Sequence, residues 1–209
     1  MTRAEALLHE PWDDLGRQRQ AYAFGMWSFL ASEVLFFGGL LFAYAVVRVV
    51  HPSEVAAAAR HADLVFGTAN TVILMTSSLT LAIAERAQLA GRRGLAVATV
   101  WLTLGLGLGF LVVKGFEYAK DLSEHLLPSA SFGLGATPAM LFWGFYWIAT
   151  AVHGVHVTVG LGLITRLLVL TRSKTSLHRP SFETTSLYWH LVDVIWVVLY
   201  PLIYLVGRP

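Results

Sequence analysis

The sequence predicts an all-α protein, a bundle of five transmembrane helices. Of its 209 residues, 56% are hydrophobic and only 13% are charged, a balance typical of proteins that cross a membrane several times. A helix needs about 20 apolar residues to cross the hydrocarbon. Five stretches meet this requirement and leave little chain for a soluble domain. They cover residues 22–50, 64–84, 95–116, 139–170 and 185–206.

The connections between the stretches are short and contain proline, glycine or charged residues. The longest, 121–138, is expected to carry a short surface helix over residues 122–127. The basic connection 172–181 contains Pro180 near its end, and proline is suited to the first turn of the last helix.

Residues 1–21 are predicted to form a cytoplasmic interfacial tail before the transmembrane domain, 22–206. The tail has neither the apolar run nor the small-residue cleavage site expected of a signal peptide. Trp12, and Tyr22 just after the tail, are expected at the level of the lipid headgroups.

Basic residues are distributed unequally between the two sides of the predicted bundle. Ten of the 15 lie on the side of the N-terminus and five on the other side. Since cytoplasmic loops carry an excess of Lys and Arg, the N-terminus is predicted to be cytoplasmic and the C-terminus outside. The ten are Arg3, Arg17, Arg19, Arg86, Arg92, Arg93, Arg166, Arg172, Lys174 and Arg179.

The chain contains no cysteine, which excludes several redox centres. Without thiolates it cannot form a disulfide framework, an iron–sulfur cluster, a thiolate copper site or a covalently attached haem c. The net charge of +2 is spread along the loops, which does not suggest a nucleic-acid-binding surface.

The apolar stretches contain five deeply placed ionisable side chains: Glu33, His153, His156, His190 and Asp193. Such groups are costly in hydrocarbon and usually face a protein interior, where they serve a function. At about 1.5 Å per residue, Glu33 lies ~16 Å, His156 ~15 Å and Asp193 ~13 Å from the cytoplasmic side. Ser77 and Ser78 fall near this depth, so one hydrogen-bonded cluster shared by four helices is expected.

Two interpretations of this cluster remain open. It is either a proton relay or a set of interhelical hydrogen bonds that fix helix rotation. Interhelical hydrogen bonds are common in membrane proteins and contribute about 1 kcal/mol each, so the structural interpretation is favoured for most of these residues. Glu33 is the exception, since a carboxyl at mid-membrane stays protonated unless it is partnered, and this favours a role in chemistry.

The histidines suggest a third interpretation, a metal centre. His153 and His156 share a helix face because they are three residues apart. Zinc or copper would need further ligands, and His190 is the only other deep candidate. The pair cannot supply two axial haem ligands, which approach from opposite sides of the ring.

No phosphate loop, dinucleotide fingerprint or nucleophile–base arrangement is apparent. The chain is therefore predicted to assist an energy-converting complex rather than to be its catalytic core.

Other residues within the stretches are expected to pack. Lys114 and Glu117 are three residues apart and are placed to pair. Four tryptophans, at positions 143, 147, 189 and 196, are interpreted as packing residues or interface anchors. Glycines are expected to let helix backbones approach closely. These are Gly38, Gly39, Gly105, Gly107, Gly109, Gly154, Gly160 and Gly162.

Together these residues resemble subunit III of the haem–copper oxidases, which include cytochrome c and quinol oxidases. The first stretch reads SFLASEVLFF over 28–37, the fourth HGVHV over 153–157, and the last YWHLVDVIW over 188–196. The last motif is the most specific, and the matches follow the family's order through all five stretches. Smaller matches are Asn70, Thr71, Ser77, Ser78, Glu117, Tyr118, Gly160 and Glu183.

The resemblance implies a five-helix form without the two extra N-terminal helices of seven-helix members. Such a subunit binds no haem or copper, which reside in partner subunits. It packs directly against subunit I, with subunit II and a subunit IV as further partners, and it holds structural phospholipids. It supports proton uptake and durability of the complex during aerobic respiration. The implied location is the bacterial cytoplasmic membrane.

The resemblance also implies residue roles. Glu33 corresponds to the family's buried carboxyl, and a proton-linked polar cluster would include it with His153, His156, His190, Asp193 and Ser77. Lipid contacts near the cytoplasmic surface would be made by Arg166, Arg172, Glu183 and Trp189. No residue is assigned to catalysis or to a metal.

Two alternatives to an oxidase subunit remain. The first is the related accessory subunit of a nitric oxide reductase, whose motifs overlap these. The second is a stand-alone proton-coupled transporter with Glu33 and Asp193 as its proton site. Against the transporter, the sequence shows no inverted repeat and no helix broken at mid-depth.

Overall fold

Five long α-helices and one short α-helix make up the described part of the chain. The computed structural model describes residues 14–129, 132–135, 137–172 and 179–208, without the side chains of 15, 19, 170–172 and 179–181. The part of the chain so described contains no strand. Trp12 and most of the predicted tail lie outside it. The helices are α1 (Leu15–Val50), α2 (Pro52–Ala59), α3 (Leu64–Leu89), α4 (Arg93–Ser123), α5 (Thr137–Arg172) and α6 (Arg179–Tyr200).

The five predicted spans are confirmed as helices long and apolar enough to cross a membrane. The first of them, α1, begins earlier than predicted. Its N-cap is Asp14, whose carboxylate accepts a hydrogen bond from the Arg17 N–H at 3.1 Å and so satisfies one of the free donors of the first turn. The polar residues before position 22 therefore continue the helix.

The prediction of a surface helix over 122–127 is wrong. Helix α4 continues to Ser123, and the chain then turns without a new helix as far as residue 129. The short helix is instead α2, directly after α1. Pro52 occupies its first position, where a missing N–H costs nothing, and a run of four alanines favours the helical backbone.

Polar contacts join the connections at one end of the bundle, here called the far end, where α1 and α4 finish. Lys120 Nζ lies 2.6 Å from Asp63 Oδ2. Burial raises the pKa of Asp63, but hydrogen bonds from Lys120 and from the Val65 N–H lower it more, so the net pKa falls below its usual value. The Arg60 side chain donates to the Gly207 carbonyl at 2.8 Å, which holds the C-terminal segment against the first connection.

The last helix finishes in a π-helical turn, Pro201–Leu205. Proline has no N–H to continue the α-helical ladder, and the backbone accommodates this by a wider turn. The turn is held by α1, because the Tyr44 hydroxyl donates to the Leu202 carbonyl at 2.8 Å.

The centre of the bundle is organised around Trp189, which is fully buried. Its indole ring fits between two glycines: a Cβ at Gly160 would lie 2.7 Å from the ring, and a Cβ at Gly107 would lie 2.9 Å from it. The packing role predicted for these glycines and for Trp189 is thus confirmed. Trp143 and Trp196 are also fully buried. The close-approach role is wrong within this chain for the other glycines named above, where a Cβ would meet nothing within 4 Å: Gly38, Gly39, Gly105, Gly109, Gly154 and Gly162.

Replacing Gly160 by alanine is expected to destabilise the protein by about 1–3 kcal/mol, because the new methyl group would overlap a rigid indole ring. Gly162→Ala is the matched control, two residues along the same helix, where the added methyl meets open space. Thermal unfolding of both variants in one detergent measures the difference. Equal melting temperatures would contradict the packing argument.

Candidate functional site

Glu33 and His156 form a pair between α1 and α5. Glu33 is half-buried on the face of α1 that carries buried Leu30 and Phe37. Its Oε2 atom is 3.0 Å from His156 Nε2, although the angle falls outside hydrogen-bond geometry. The other ring nitrogen, Nδ1, lies 2.8 Å from the Val152 carbonyl of the preceding turn. This second contact orients the imidazole toward the carboxyl group.

A second polar group joins α3 to α6. Ser78 Oγ lies 2.7 Å from His190 Nδ1, and Ser186 Oγ lies 3.3 Å from the other ring nitrogen. Beside this contact, the indole N–H of Trp189 donates to Ser77 Oγ at 3.1 Å. Adjacent serines on α3 thus bind adjacent aromatic residues on α6, which fixes the rotation of the two helices against each other.

His153 and Asp193 take part in neither group. Both nitrogens of His153 and both carboxyl oxygens of Asp193 are buried without a hydrogen-bond partner. The His153 ring packs against the rings of Phe110 and Trp196, at centroid distances of 5.6 and 5.1 Å. Ser78 lies near Asp193, but its hydroxyl is used by His190. The expectation of one shared cluster is therefore wrong: the described residues form separate groups.

The three histidines are not brought together as metal ligands. Each one faces a different partner: a carboxyl group for His156, a hydroxyl group for His190 and aromatic rings for His153. Within the described ranges, no three His, Cys, Asp or Glu side chains gather where they could hold a metal ion.

A larger polar network among the described residues lies toward the far end, where α4 meets α5 and the π-helical turn. Lys114 Nζ lies 3.0 Å from Glu117 Oε2, 3.1 Å from the Tyr146 hydroxyl and 2.8 Å from the Tyr204 hydroxyl. The pairing of Lys114 with Glu117 is thus as predicted. Tyr146 also contacts Asp121, at 2.6 Å. All five side chains are buried.

Sequence reasoning missed Asp121, Tyr146 and Tyr204. One signal was present: Lys114, Glu117 and Asp121 recur at intervals of three and four residues and therefore form a stripe on one face of an apolar helix. Three ionisable residues on one such face require polar partners on the neighbouring helices. The tyrosines could not be chosen from sequence, because several others are present.

The residues predicted to contact lipid headgroups have different surroundings. Trp189 is fully buried in the centre of the bundle, so that assignment is wrong. Arg166 and Glu183 are exposed, as headgroup contact requires. The side chain of Arg172 lies outside the described residues.

An apolar cleft separates α1 from α6 and has a volume of about 610 Å³. Leu30, Ala31 and Val34 line it from α1, and Leu187 and Leu191 from α6. His190 is the one polar side chain in its wall. A cleft of this size with mostly apolar walls suits a hydrocarbon chain or an apolar ring of a ligand.

The fold and these buried polar groups define a helical membrane protein that crosses the bilayer several times. The sequence model of the family described as cytochrome c oxidase subunit III matches residues 16–208. The chain therefore belongs to the subunit III family of the haem–copper oxidases, in which it is an accessory, non-catalytic subunit.

Relatives of similar length carry matching names. The chain is 31% identical to cytochrome c oxidase subunit 3 of Alkalihalophilus pseudofirmus, over 88% of this chain and 85% of the relative. It is 30% identical to the probable quinol oxidase subunit 3 of Staphylococcus haemolyticus, over 93% and 94%. It is 34% identical to cytochrome c oxidase subunit 3 of Synechocystis, over 87% and 74%.

Replacing Lys114 by methionine is expected to destabilise the chain by about 3–5 kcal/mol, because Glu117 would remain charged and buried without its cation. The double variant Lys114→Met/Glu117→Gln should recover a large part of this loss. Unfolding of the purified chain in detergent measures both.

The control for this pair is Lys120→Met, which breaks an ion pair whose lysine is 42% exposed. Its cost should stay below about 1 kcal/mol, since solvent screens such pairs. Equal costs for the two lysine variants would show that burial of the Lys114 network contributes little.

Proposed function

We propose that this subunit packs directly beside subunit I of its oxidase and supports proton uptake through Glu33 and His156. The observation that carries the proposal is the 3.0 Å approach of a carboxyl group and an imidazole inside the membrane-spanning region. A carboxyl group and an imidazole can each bind and release a proton, so two such groups at this distance are able to exchange one.

The exposure of the pair supports transport of protons over a purely structural role. The side chains of Glu33 and His156 are 15% and 16% exposed in the single chain, whereas Glu117 and His153 are fully buried. A relay must exchange protons with its surroundings, while a structural pair is better protected by complete enclosure. The partly open pair would face water or a partner subunit.

The proposed orientation places the pair on a path from the cytoplasm. The bias of basic residues toward the side of Arg86 and Arg166 favours that side as cytoplasmic. Protons taken up by an oxidase would then reach Glu33 from the side where the chain has most of its positive charge, in the cytoplasmic membrane of a bacterium.

The cleft between α1 and α6 is proposed to hold the acyl chain of a structural phospholipid. Its walls are apolar, and its volume of about 610 Å³ admits a long hydrocarbon chain. Exposed Arg166 and Glu183 remain candidates for headgroup contact. Bound lipid would fill the gap beside α1, the least enclosed of the five spanning helices.

The redox centres are proposed to lie in the partners: haem and copper in subunit I, with subunits II and IV completing the complex. The relatives named above include both cytochrome c oxidase and quinol oxidase subunits. Purification of the tagged chain with its partners, followed by a reduced-minus-oxidised spectrum, tests this. Haem b alone with a nitric oxide reductase, or no haem partner at all, would contradict it.

Glu33→Gln is expected to leave the complex assembled but to slow proton uptake and to cause a several-fold faster loss of activity during turnover. Glutamine keeps the size of the side chain but cannot release a proton. Co-purification of subunit I reports assembly, and pH changes in a weakly buffered suspension report proton uptake.

Glu54→Gln is the control, a carboxylate at the exposed start of α2 whose substitution should change neither readout. If Glu33→Gln instead abolishes co-purification of subunit I, Glu33 acts as a structural contact. If it changes nothing, the proton proposal fails.

Ala31→Trp is expected to fill part of the cleft and to reduce the phospholipid that co-purifies with the chain. Mass spectrometry of lipids extracted from the purified complex measures this. Ala45→Trp is the matched control, on an exposed face of the same helix away from the cleft. Equal lipid content in the two variants would remove the cleft as a lipid site.

A further inference from the structure

In the network around Lys114, the Tyr146 hydroxyl contacts more carboxyl groups than its one proton can bond. A phenol carries a single donor proton. Tyr146 nevertheless lies 2.6 Å from Asp121 Oδ2 and 3.0 Å from Glu117 Oε1, within hydrogen-bond distance of both carboxyl groups. Only one of these contacts can use the phenol proton. The other carboxyl group must then be the donor.

We propose that Asp121 and Glu117 bind one proton between them through Tyr146, which makes this network a buried proton-binding site. The site is distinct from the Glu33–His156 pair on which the proposed function rests, since Tyr146 and His156 are ten residues, or about 15 Å, apart along α5.

The remaining contacts assign the proton to Asp121. Lys114 donates to the Tyr146 and Tyr204 oxygens and forms an ion pair with Glu117 Oε2 at 3.0 Å, outside hydrogen-bond geometry. Tyr204 donates to Glu117 Oε1 at 2.6 Å. Glu117 therefore receives the ammonium group and at least one phenol, and is the ionised carboxyl. Asp121 donates to the Tyr146 oxygen, and Tyr146 donates onward to Glu117.

The charge of the site leads to the same result. One lysine and two ionised carboxyl groups would leave a net negative charge on the site. All of these residues are buried, and the side chains of Lys114 and Glu117 are at most 5% exposed. A bound proton makes the site neutral, which avoids the cost of an unpaired charge in a medium of low dielectric constant. The proton of each phenol is then used in a hydrogen bond to Glu117.

The ionisable neighbours of Asp121 come from three elements. On α4 and at its end they are Lys114, Glu117 and the exposed Glu124; on α5 the neighbour is Tyr146; and Tyr204 of the π-helical turn lies next to Glu117. Asp121 lies near the last residue of α4, Ser123, so it is the member of the network closest to the connecting loop. We therefore expect proton exchange with water to occur through Asp121.

Infrared spectroscopy of the full-length chain labelled with ¹³C-aspartate tests the proposal. In an Asp193→Asn background, which removes the other buried aspartate, a protonated ¹³C-carboxyl band is expected at neutral pH. It should shift in D₂O and disappear on adding Asp121→Asn. Absence of this band at neutral pH would overturn the proposal, and so would its persistence in the double variant.

Tyr146→Phe supplies a second readout, because it removes the acceptor of the Asp121 proton without touching either carboxyl group. The band should move to higher frequency as its hydrogen bond is lost. Tyr118→Phe is the matched control: Tyr118 is also near Lys114, but its hydroxyl contacts Thr150 instead. A band that does not move in Tyr146→Phe, or that moves equally in both variants, would overturn the assigned geometry.

Discussion

The ammonium group of Lys114 is the point on which the far half of the bundle depends. It lies in an apolar helix where water cannot solvate it, so its three donors need acceptors from the protein. Tyr146 provides one from α5 and Tyr204 another from the π-helical turn, while Glu117 of the same helix supplies the opposite charge at 3.0 Å. A single cation thereby determines how closely three segments approach and how each is rotated.

The other half of the bundle is held by shape and by neutral hydrogen bonds. Trp189 occupies the space left by Gly107 and Gly160, and its N–H group binds Ser77. In a membrane, burial of apolar surface does not favour one helix neighbour over lipid, so close packing and interhelical hydrogen bonds decide the arrangement. The indole ring supplies both, which explains why the last helix is the most deeply enclosed of the five.

Helix α1 differs from the rest because it contributes little to this core. Large apolar side chains such as Phe24, Leu35 and Phe42 are more than 70% exposed. Its one buried stripe carries Glu33, and the cleft beside α6 leaves it only partly supported. A helix held this loosely needs lipid or a neighbouring subunit to cover it, which agrees with membership of a family of accessory oxidase subunits.

The sequence by itself determined the five membrane-spanning helices but not the short helix α2, because only a run of about 20 apolar residues has few alternatives in lipid. It also identified Glu33 and the histidines, since ionisable residues stand out in apolar runs, and the spacing of Lys114 and Glu117 predicted their pairing. Only the tertiary structure decided which of these groups meet. His156 faces Glu33 while His153 does not, and Glu117 meets two tyrosines from other segments. Which groups meet depends on how each helix is rotated about its axis. A nearly uniform apolar surface does not determine this rotation locally, so contacts between residues far apart in the chain decide it.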